Sequence, residues 1–342
     1  MSYYTTTGLL AALQAMDRPT AFLRDTYFPN VVESPDEEIA IDKMLTRKKM
    51  APFVSPDVPA KERAIRGRKV ETFTPAYVKP MSTIRPNDLI KRAHGERFGG
   101  GIAPAQREAE TINQILLDHE DEITRREEWM CAQILRTGSV TVSGEDYETQ
   151  IVDFQRPAGH TVALTTTARW GETGVDPLAN IRAWATTTQK ACGGVVRPVV
   201  MGADAAEIFQ KDAEVREILD NRRQAGGQMQ LGPVAAGAQG EPMAYLGSIG
   251  IFDFWTYSQW FEDDDGNEVE VWPAYGVGLI APSVFMGNMA YGSILDMDGL
   301  VPLARFPKEV TTDNPSRRSI LTQSAPLPVP SEVSGSFFAT VR

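Results

Sequence analysis

Cysteine is almost missing from this chain: Cys131 and Cys192 are the two in 342 residues, and they lie on dissimilar segments. That excludes a disulfide framework and predicts two buried free thiols in a reducing compartment. Histidine is nearly as scarce. His94, His119 and His160 share no ligand spacing, which removes a histidine-built metal centre. His119 stands among Asp118, Glu120 and Asp121 and reads as part of a solvated helix face. No apolar run approaches the roughly 20 residues that cross a bilayer. No charged n-region followed by an apolar h-region opens the chain, so secretion is not indicated. The H-E-x-x-H, C-x-x-C, P-loop and G-x-S-x-G patterns are all absent, as are internal repeats. The 45 acidic residues allow many distant pairings, but nothing marks a catalytic pair, so the sequence gives no positive support for an enzyme.

What the chain does have is an internal contrast of charge. Residues 42–97 hold 14 Lys/Arg against 6 Asp/Glu, a local balance of +8 in a chain of net charge −11. The other 286 residues therefore carry −19. A long arm opposed in charge to its own chain is expected to lie across acidic surface, its own or that of an identical neighbour.

Proline sets the form of that arm. Pro52, Pro56, Pro59, Pro75, Pro80 and Pro86 each fix φ, remove a donor and push the preceding residue toward extended geometry. A helix is forbidden through most of the region. Two extended limbs remain, joined around Lys61-Glu62-Arg63-Ala64-Ile65-Arg66-Gly67-Arg68-Lys69. An isolated hairpin is marginal in water, so this one needs a surface to lie on. Phe53, Phe73 and Tyr77 could stack nucleobases. They fall at Pro-flanked ends of the limbs, however, where they serve better as anchors to protein, and a pI of 4.9 opposes backbone-tracking of nucleic acid.

Elsewhere the periodicities are plain. A short apolar helix is expected over residues 7–16 in an arm spanning 1–35. Gly99-Gly100-Gly101 breaks the chain, and Pro104 suits the first turn of a long helix, 104–136, stopped by Gly138. Its apolar residues are Ile112, Leu116, Ile123, Met130 and Ile134. At 1.5 Å per residue it is about 50 Å long. Residues 139–175 read as short strands, 177–190 as a helix ending at Gly193-Gly194, 195–201 as a buried strand, and 204–223 as a second helix. Arg222 and Arg223 suit the last turn of that second helix. Residues 226–240 are Gln/Gly-rich and read as a loop. Strands are expected over 249–260 and 268–280, joined by an acidic turn with an Asp265-Gly266 step. The last 45 residues read as Pro-rich extended chain.

Two local patterns invite binding and are better read otherwise. Gly276-Val277-Gly278-Leu279-Ile280-Ala281 fits a loose dinucleotide pattern, but Pro282 follows at once and no helical pattern continues, so it reads as a glycine-kinked buried strand. The acidic turn at 262–270, aligned on Gly266 as a calcium loop, puts Phe261 and Trp272 in ligand positions, which neither can fill. No catalytic, cofactor-binding or metal residue is assigned.

The words themselves resemble a family. Ala51-Pro52-Phe53-Val54-Ser55-Pro56 and Phe73-Thr74-Pro75-Ala76-Tyr77-Val78-Lys79-Pro80 resemble the region before the long helix in the lambda-type major capsid proteins of tailed phages, which have the Hong Kong 97 fold. Similar to that family are also Met1-Ser2-Tyr3-Tyr4-Thr5-Thr6 with Leu9-Leu10-Ala11-Ala12, Arg169-Trp170-Gly171 with Asp176-Pro177, and Ala304-Arg305-Phe306-Pro307-Lys308 with Gln323-Ser324-Ala325-Pro326-Leu327. The matches are collinear and span nearly the whole chain. The resemblance implies an α+β subunit with an N-terminal arm (1–35), an extended basic loop (36–98), a peripheral domain with a spine helix (99–177), an axial domain (178–292) and a return to the peripheral domain (293–342).

It implies a major capsid protein that self-assembles into hexamers and pentamers of an icosahedral shell around double-stranded DNA, assembled in the host cytoplasm and resident in the virion. The alternatives are an encapsulin-like compartment shell of the same fold and a soluble acidic hydrolase. Expected partners are identical copies, a separate scaffolding protein, a portal, a packaging motor, a decoration protein and packaged DNA held non-specifically, with no membrane. Candidate inter-subunit contacts are Tyr3, Tyr4, Lys61, Arg63, Arg66, Arg68, Lys69, Phe73 and Tyr77. Lys61 and Lys69 sit where relatives of the fold place a cross-linking lysine. The lambda-type branch is not known for that chemistry and no asparagine is marked for it, so no isopeptide bond is expected.

Overall fold

The computed structural model describes residues 4–16, 20–36, 38–44, 53, 56–57, 68–90, 104–144, 147–217, 243–262, 266–297 and 299–342. Its longest element is the helix α4 (Pro104–Thr137), 34 residues that begin at the expected proline. Ile112, Leu116, Ile123, Met130 and Ile134 are all buried, and near its end Cys131, Ala132 and Leu135 are buried too, so the helix enters the core as it closes. Gly138 ends it at φ +76°, where a Cβ would sit 2.5 Å from that of Arg156. Arg156 then donates to the Leu135 carbonyl at 2.7 Å and to that of Arg136, capping the negative end of the helix with a cation. Burial lowers the pKa of that guanidinium to about 10.

One expectation about this helix is overturned. His119 does not face solvent; it is 1 % exposed. Its two ring nitrogens lie 2.9 Å from Ser82 Oγ and 3.1 Å from Thr322 Oγ1. The acidic neighbours that suggested a wet face are adjacent in sequence only; the ring points between β4 (Met81–Ile84) and β18 (Ser316–Gln323).

Around α4 lie three groups of strands. β17 (Phe306–Asp313), β18 and β4 form an antiparallel sheet, and the N-terminal helix α1 (Thr6–Gln14) packs on β17. Leu9, Ile84, Ile112, Leu116 and Ile320 close a small core between these pieces. β1 (Asn30–Glu33), β14 (Asn288–Tyr291) and β19 (Pro326–Val329) form a second three-stranded sheet, with β1 parallel to β14. β2 (Ile39–Met44) and β3 (Arg68–Phe73) pair antiparallel, Ile39 opposite Phe73 and Met44 opposite Arg68, as the two limbs of the loop. Pro86 opens a short helix α3 (Pro86–Ile90), the position in a helix that proline tolerates.

A six-stranded sheet runs β7 (Thr161–Ala163), β20 (Ser336–Thr340), β13 (Gly276–Ile280), β8 (Pro198–Met201), β10 (Phe252–Tyr257), β9 (Met243–Ile249). Helix α5 (Pro177–Cys192) packs against β20, and α6 (Ala203–Lys211) against β10. Asp176 caps α5 by accepting from the Leu178 and Ala179 amides, and Gly193 closes it at φ +79°. The rings of Trp170 and Trp184 stack at 6.2 Å, and Trp184 stacks on Phe337 at 5.6 Å. β13 is buried throughout, and a Cβ on Gly278 would approach the Trp272 ring to 2.7 Å. That is the glycine's reason for being there.

Three expectations need correction. The helix expected over 204–223 stops at Lys211; Asp212 takes ψ 139° and caps a new turn through the Glu214 and Val215 amides. Positions beyond 217, Arg222 and Arg223 among them, lie outside the described residues. The single strand expected over 249–260 is the last residue of β9, a turn at Gly250 (φ +66°), the whole of β10 and the first residue of a further strand at Trp260. A helical turn does follow Pro282, but α7 (Pro282–Phe285) is four residues long. The acidic turn is a hairpin as expected: β11 (Trp260–Glu262) pairs with β12 (Glu268–Glu270), with Gly266 at φ +80°.

Candidate assembly interface

Of the nine candidate contact residues, Tyr3, Lys61, Arg63 and Arg66 lie outside the described residues. Arg68 and Lys69 open β3, opposite Met44 and Lys43. Phe73 is half-buried against the main core, and Tyr77 is fixed at the loop's root: its hydroxyl donates to the Ser293 carbonyl at 2.9 Å and accepts from Leu295 N at 3.2 Å. Tyr4 is also held within its own chain. Its N–H reaches Glu309 Oε2 at 2.9 Å, and Arg318 lies over its ring at 5.7 Å. Arg318 in turn sits 2.8 Å from Glu309 Oε1 and pairs with Glu108 on α4. The aromatic candidates thus tie the two arms down where they leave the body.

Deeper in the molecule is an arrangement the sequence reading missed. Glu120, Glu127 and Glu128 on α4 are all buried, together with Arg24 and Arg305. Arg305 Nε donates to Glu120 Oε2 at 2.7 Å and Nη2 to Oε1 at 3.2 Å, while Nη1 donates to Glu127 Oε1 at 2.7 Å. Nη1 also reaches the Ala304 carbonyl at 3.1 Å and Ser324 Oγ at 3.2 Å. Arg24 lies with Nε 2.9 Å from the other Glu127 oxygen and donates through Nη2 to the Tyr291 hydroxyl at 3.1 Å. That hydroxyl donates to Glu127 at 2.8 Å.

Glu128 does a different job. Helix α2 (Phe22–Tyr27) has Ala21 before it, which has no oxygen to cap with. Glu128 supplies the cap from across the core, accepting the Leu23 and Arg24 amides at 2.9 Å each, and the Tyr257 hydroxyl at 2.7 Å. Burial pushes the Glu128 carboxyl above its ordinary range, against the pull of those donors. Burial also works against both guanidinium charges, yet Glu127 first among their partners holds Arg24 and Arg305 above their usual value. Arg24 and Arg305 answer Glu120 and Glu127 at close range, whereas Glu128 is held by amides and a hydroxyl instead of a cation.

The signal was in the spacing. Residues 116, 120, 123, 127, 130 and 134 make one continuous stripe at alternating steps of four and three, and two glutamates fill it. Glutamates inside an apolar stripe require partners, and Arg305 is the basic residue of the Ala-Arg-Phe-Pro-Lys word. Among the described residues no cluster of His, Cys, Asp or Glu is arranged to hold a metal ion, and no helix is long and apolar enough to cross a membrane.

Comparison with known proteins gives consistent matches. The family described as phage major capsid protein E matches residues 5–341. The major capsid protein of Escherichia phage N15 is 29 % identical over 336 residues, and that of Escherichia phage lambda 28 % over 335, each alignment covering 96 % of both chains. Among solved structures, the putative capsid protein of an E. coli CFT073 prophage superposes with TM-score 0.77 at 22 % identity over 100 % of both chains. The capsid of Ralstonia phage GP4 gives 0.51 at 12 % identity over 95 % of this chain and 92 % of that one.

Proposed function

This chain belongs to the phage major capsid protein E family and is a tailed-phage major capsid protein with a Hong Kong 97-like fold; from that premise we propose how its parts divide the work of building a shell. The match over residues 5–341 is the observation that carries the reading.

The shell is icosahedral and made of hexamers and pentamers. Residues 36–98 lie over the adjacent subunit, with Lys61, Arg63, Arg66, Arg68 and Lys69 against acidic surface. The excess negative charge of the remaining chain supports this. Exposed ion pairs contribute only about 0–1 kcal/mol each, but a closed ring repeats them and adds extended-chain pairing by the arm at 1–35, where Tyr3 and Tyr4 lie. Residues 99–177 and 293–342 form the peripheral body around α4, and 178–292 the axial body at the centre of each capsomer. β7 and β20, from the first of these ranges, pair into the six-stranded sheet whose other four strands come from the second. The role is structural, without catalysis or cofactor. The further partners are a separate scaffolding protein, a portal, a packaging motor, a decoration protein and double-stranded DNA held without sequence preference, with assembly in the host cytoplasm.

Sedimentation and negative-stain microscopy test the reading, on the protein expressed alone and again with the gene encoded just upstream. Shells, tubes or capsomer rings in either sample are expected. A monodisperse monomer in both, at high concentration, would sink it.

A further inference from the structure

Among the described residues, Glu128 is the sealed acid of α4 that no cation answers. Arg24 turns its guanidinium to Glu127, Asp25 and Tyr291, and Arg305 serves Glu120 and Glu127. Glu128 is 1 % exposed and meets the Leu23 and Arg24 amides and the Tyr257 hydroxyl. Ionising a carboxyl in such a place is expensive, and holding a proton removes the expense.

The phenol beside it supplies an independent, geometric reason. Tyr257 Oη lies 2.7 Å from Glu128 Oε1 and is also hydrogen-bonded to Gln259 Oε1. Both neighbours are acceptor oxygens, and a hydroxyl has one hydrogen to give. With Glu128 ionised, that hydrogen serves one of them and leaves the other facing a lone pair. A proton on Glu128 Oε1 completes the row: acid to phenol oxygen, then phenol to the Gln259 carbonyl. The carboxyl oxygens keep lone pairs for the two amides.

We propose that Glu128 is a neutral carboxylic acid while α2 is seated, and that its proton latches the N-terminal arm to the body. The latch joins three pieces, since Glu128 lies on α4, the two amides on α2 and Tyr257 on β10. When α2 lifts, Glu128 meets water, ionises and gives its proton to solvent. The titratable groups gathered around it are Glu127 and Cys131 on α4, Arg24 and Asp25 on α2, and Tyr257 on β10. Burial first, and Asp25 after it, oppose ionisation, so the seated acid titrates above its ordinary range. The seated state is therefore favoured at lower pH. It loosens as pH rises through the seated value, by up to about tenfold in opening per pH unit for one linked proton. The latch acts within one chain and does not depend on the assembly reading.

Infrared spectroscopy of the full-length subunit reads the proton directly. At pH 7 exposed carboxyls are ionised, so a carboxylic-acid carbonyl band that shifts in D2O is expected from Glu128. It should fade as pH is raised and be missing from Glu128→Gln, whose amide can make the same contacts. Hydrogen exchange of peptides covering residues 21–27, taken relative to α5 peptides, reads the latch. Relative opening should rise with pH above 7 in the wild type and stay flat in Glu128→Gln.

A wild type without the acid band at pH 7 overturns the proposal, whether or not the variant folds. That result marks an ionised Glu128, with Gln259 turned to give its NH2 to the phenol. A band that survives in Glu128→Gln assigns the proton to another acid and overturns it equally. Exchange over 21–27 that is flat with pH in the wild type overturns the latch.

Discussion

Replacing Arg305 with methionine should damage this subunit more than any exposed charge substitution. Methionine keeps the unbranched apolar stem and drops the guanidinium head, so the change is chiefly one of charge and hydrogen bonding. Five donor contacts within 3.2 Å disappear: two to Glu120 and one to Glu127, whose side chains are 11 % and 0 % exposed, and one each to the Ala304 carbonyl and Ser324 Oγ. Water cannot take over at Glu127. Removing one partner of a buried ion pair costs about 3–5 kcal/mol, because the other charge stays desolvated. The assay is guanidinium unfolding of the unassembled subunit, followed by fluorescence of the buried Trp170, Trp184 and Trp272; the midpoint should fall with the slope unchanged. The variant Arg305→Lys should fall between, since a point charge cannot fork across two carboxylates. The control is Lys211→Ala, whose pair with Glu207 is 65 % and 63 % exposed and should leave the midpoint almost unmoved. An Arg305→Met subunit as stable as that control would refute the claim that the knot is sealed and charged.

Two further outcomes follow from buried groups. Burial holds the His119 pKa below 6.5, against Asp118, so the unfolded chain binds its proton first and stability falls as pH drops below about 6.5. His160 is lowered the same way, so His119→Asn should flatten the slope of stability between pH 8 and 5 without abolishing it; identical slopes would rule the effect out. Burial, then Glu128 and Glu127, raises the Cys131 thiol well above its usual value, so it should resist a thiol reagent at pH 8 in the folded subunit and react once unfolded. Prompt native reaction at Cys131, with Cys192 replaced by alanine, would show that this part of the core is open.

Much of this architecture is local, and local features were readable. Pro104 and Gly138 bracket α4, Asp176 and Gly193 bracket α5, and the Asp265-Gly266 step marks a hairpin, because caps and turns depend on residues a few positions apart. The break at Asp212 escaped because its neighbours keep helical spacing across it, and an aspartate that caps looks in sequence like one on a wet face. Sheet order was not readable at all. β20 beside β13 and β1 beside β14 join residues far apart in the chain, and no pairing signal in one strand names its partner. His119 and the buried glutamates share one cause of error. Charge beside charge in sequence suggests solvent, yet on a helix the neighbours at i+1 point elsewhere, and the partners that decide burial come from β4, β18 and residue 305.

The knot explains more than stability. A buried ion pair adds little net free energy compared with a well-packed apolar core, but its hydrogen bonds accept one geometry. Here that geometry fixes three pieces at one point: the arm through Arg24 and α2, the spine through Glu120, Glu127 and Glu128, and the returning chain through Tyr291, Arg305 and Ser324. A subunit copied around a closed shell must present its arms at a repeated angle, since an angular error at each contact accumulates around a ring. An apolar core of the same volume would tolerate sliding. The knot does not, because Arg305 holds Glu120 and Glu127 through separate donors of one planar group.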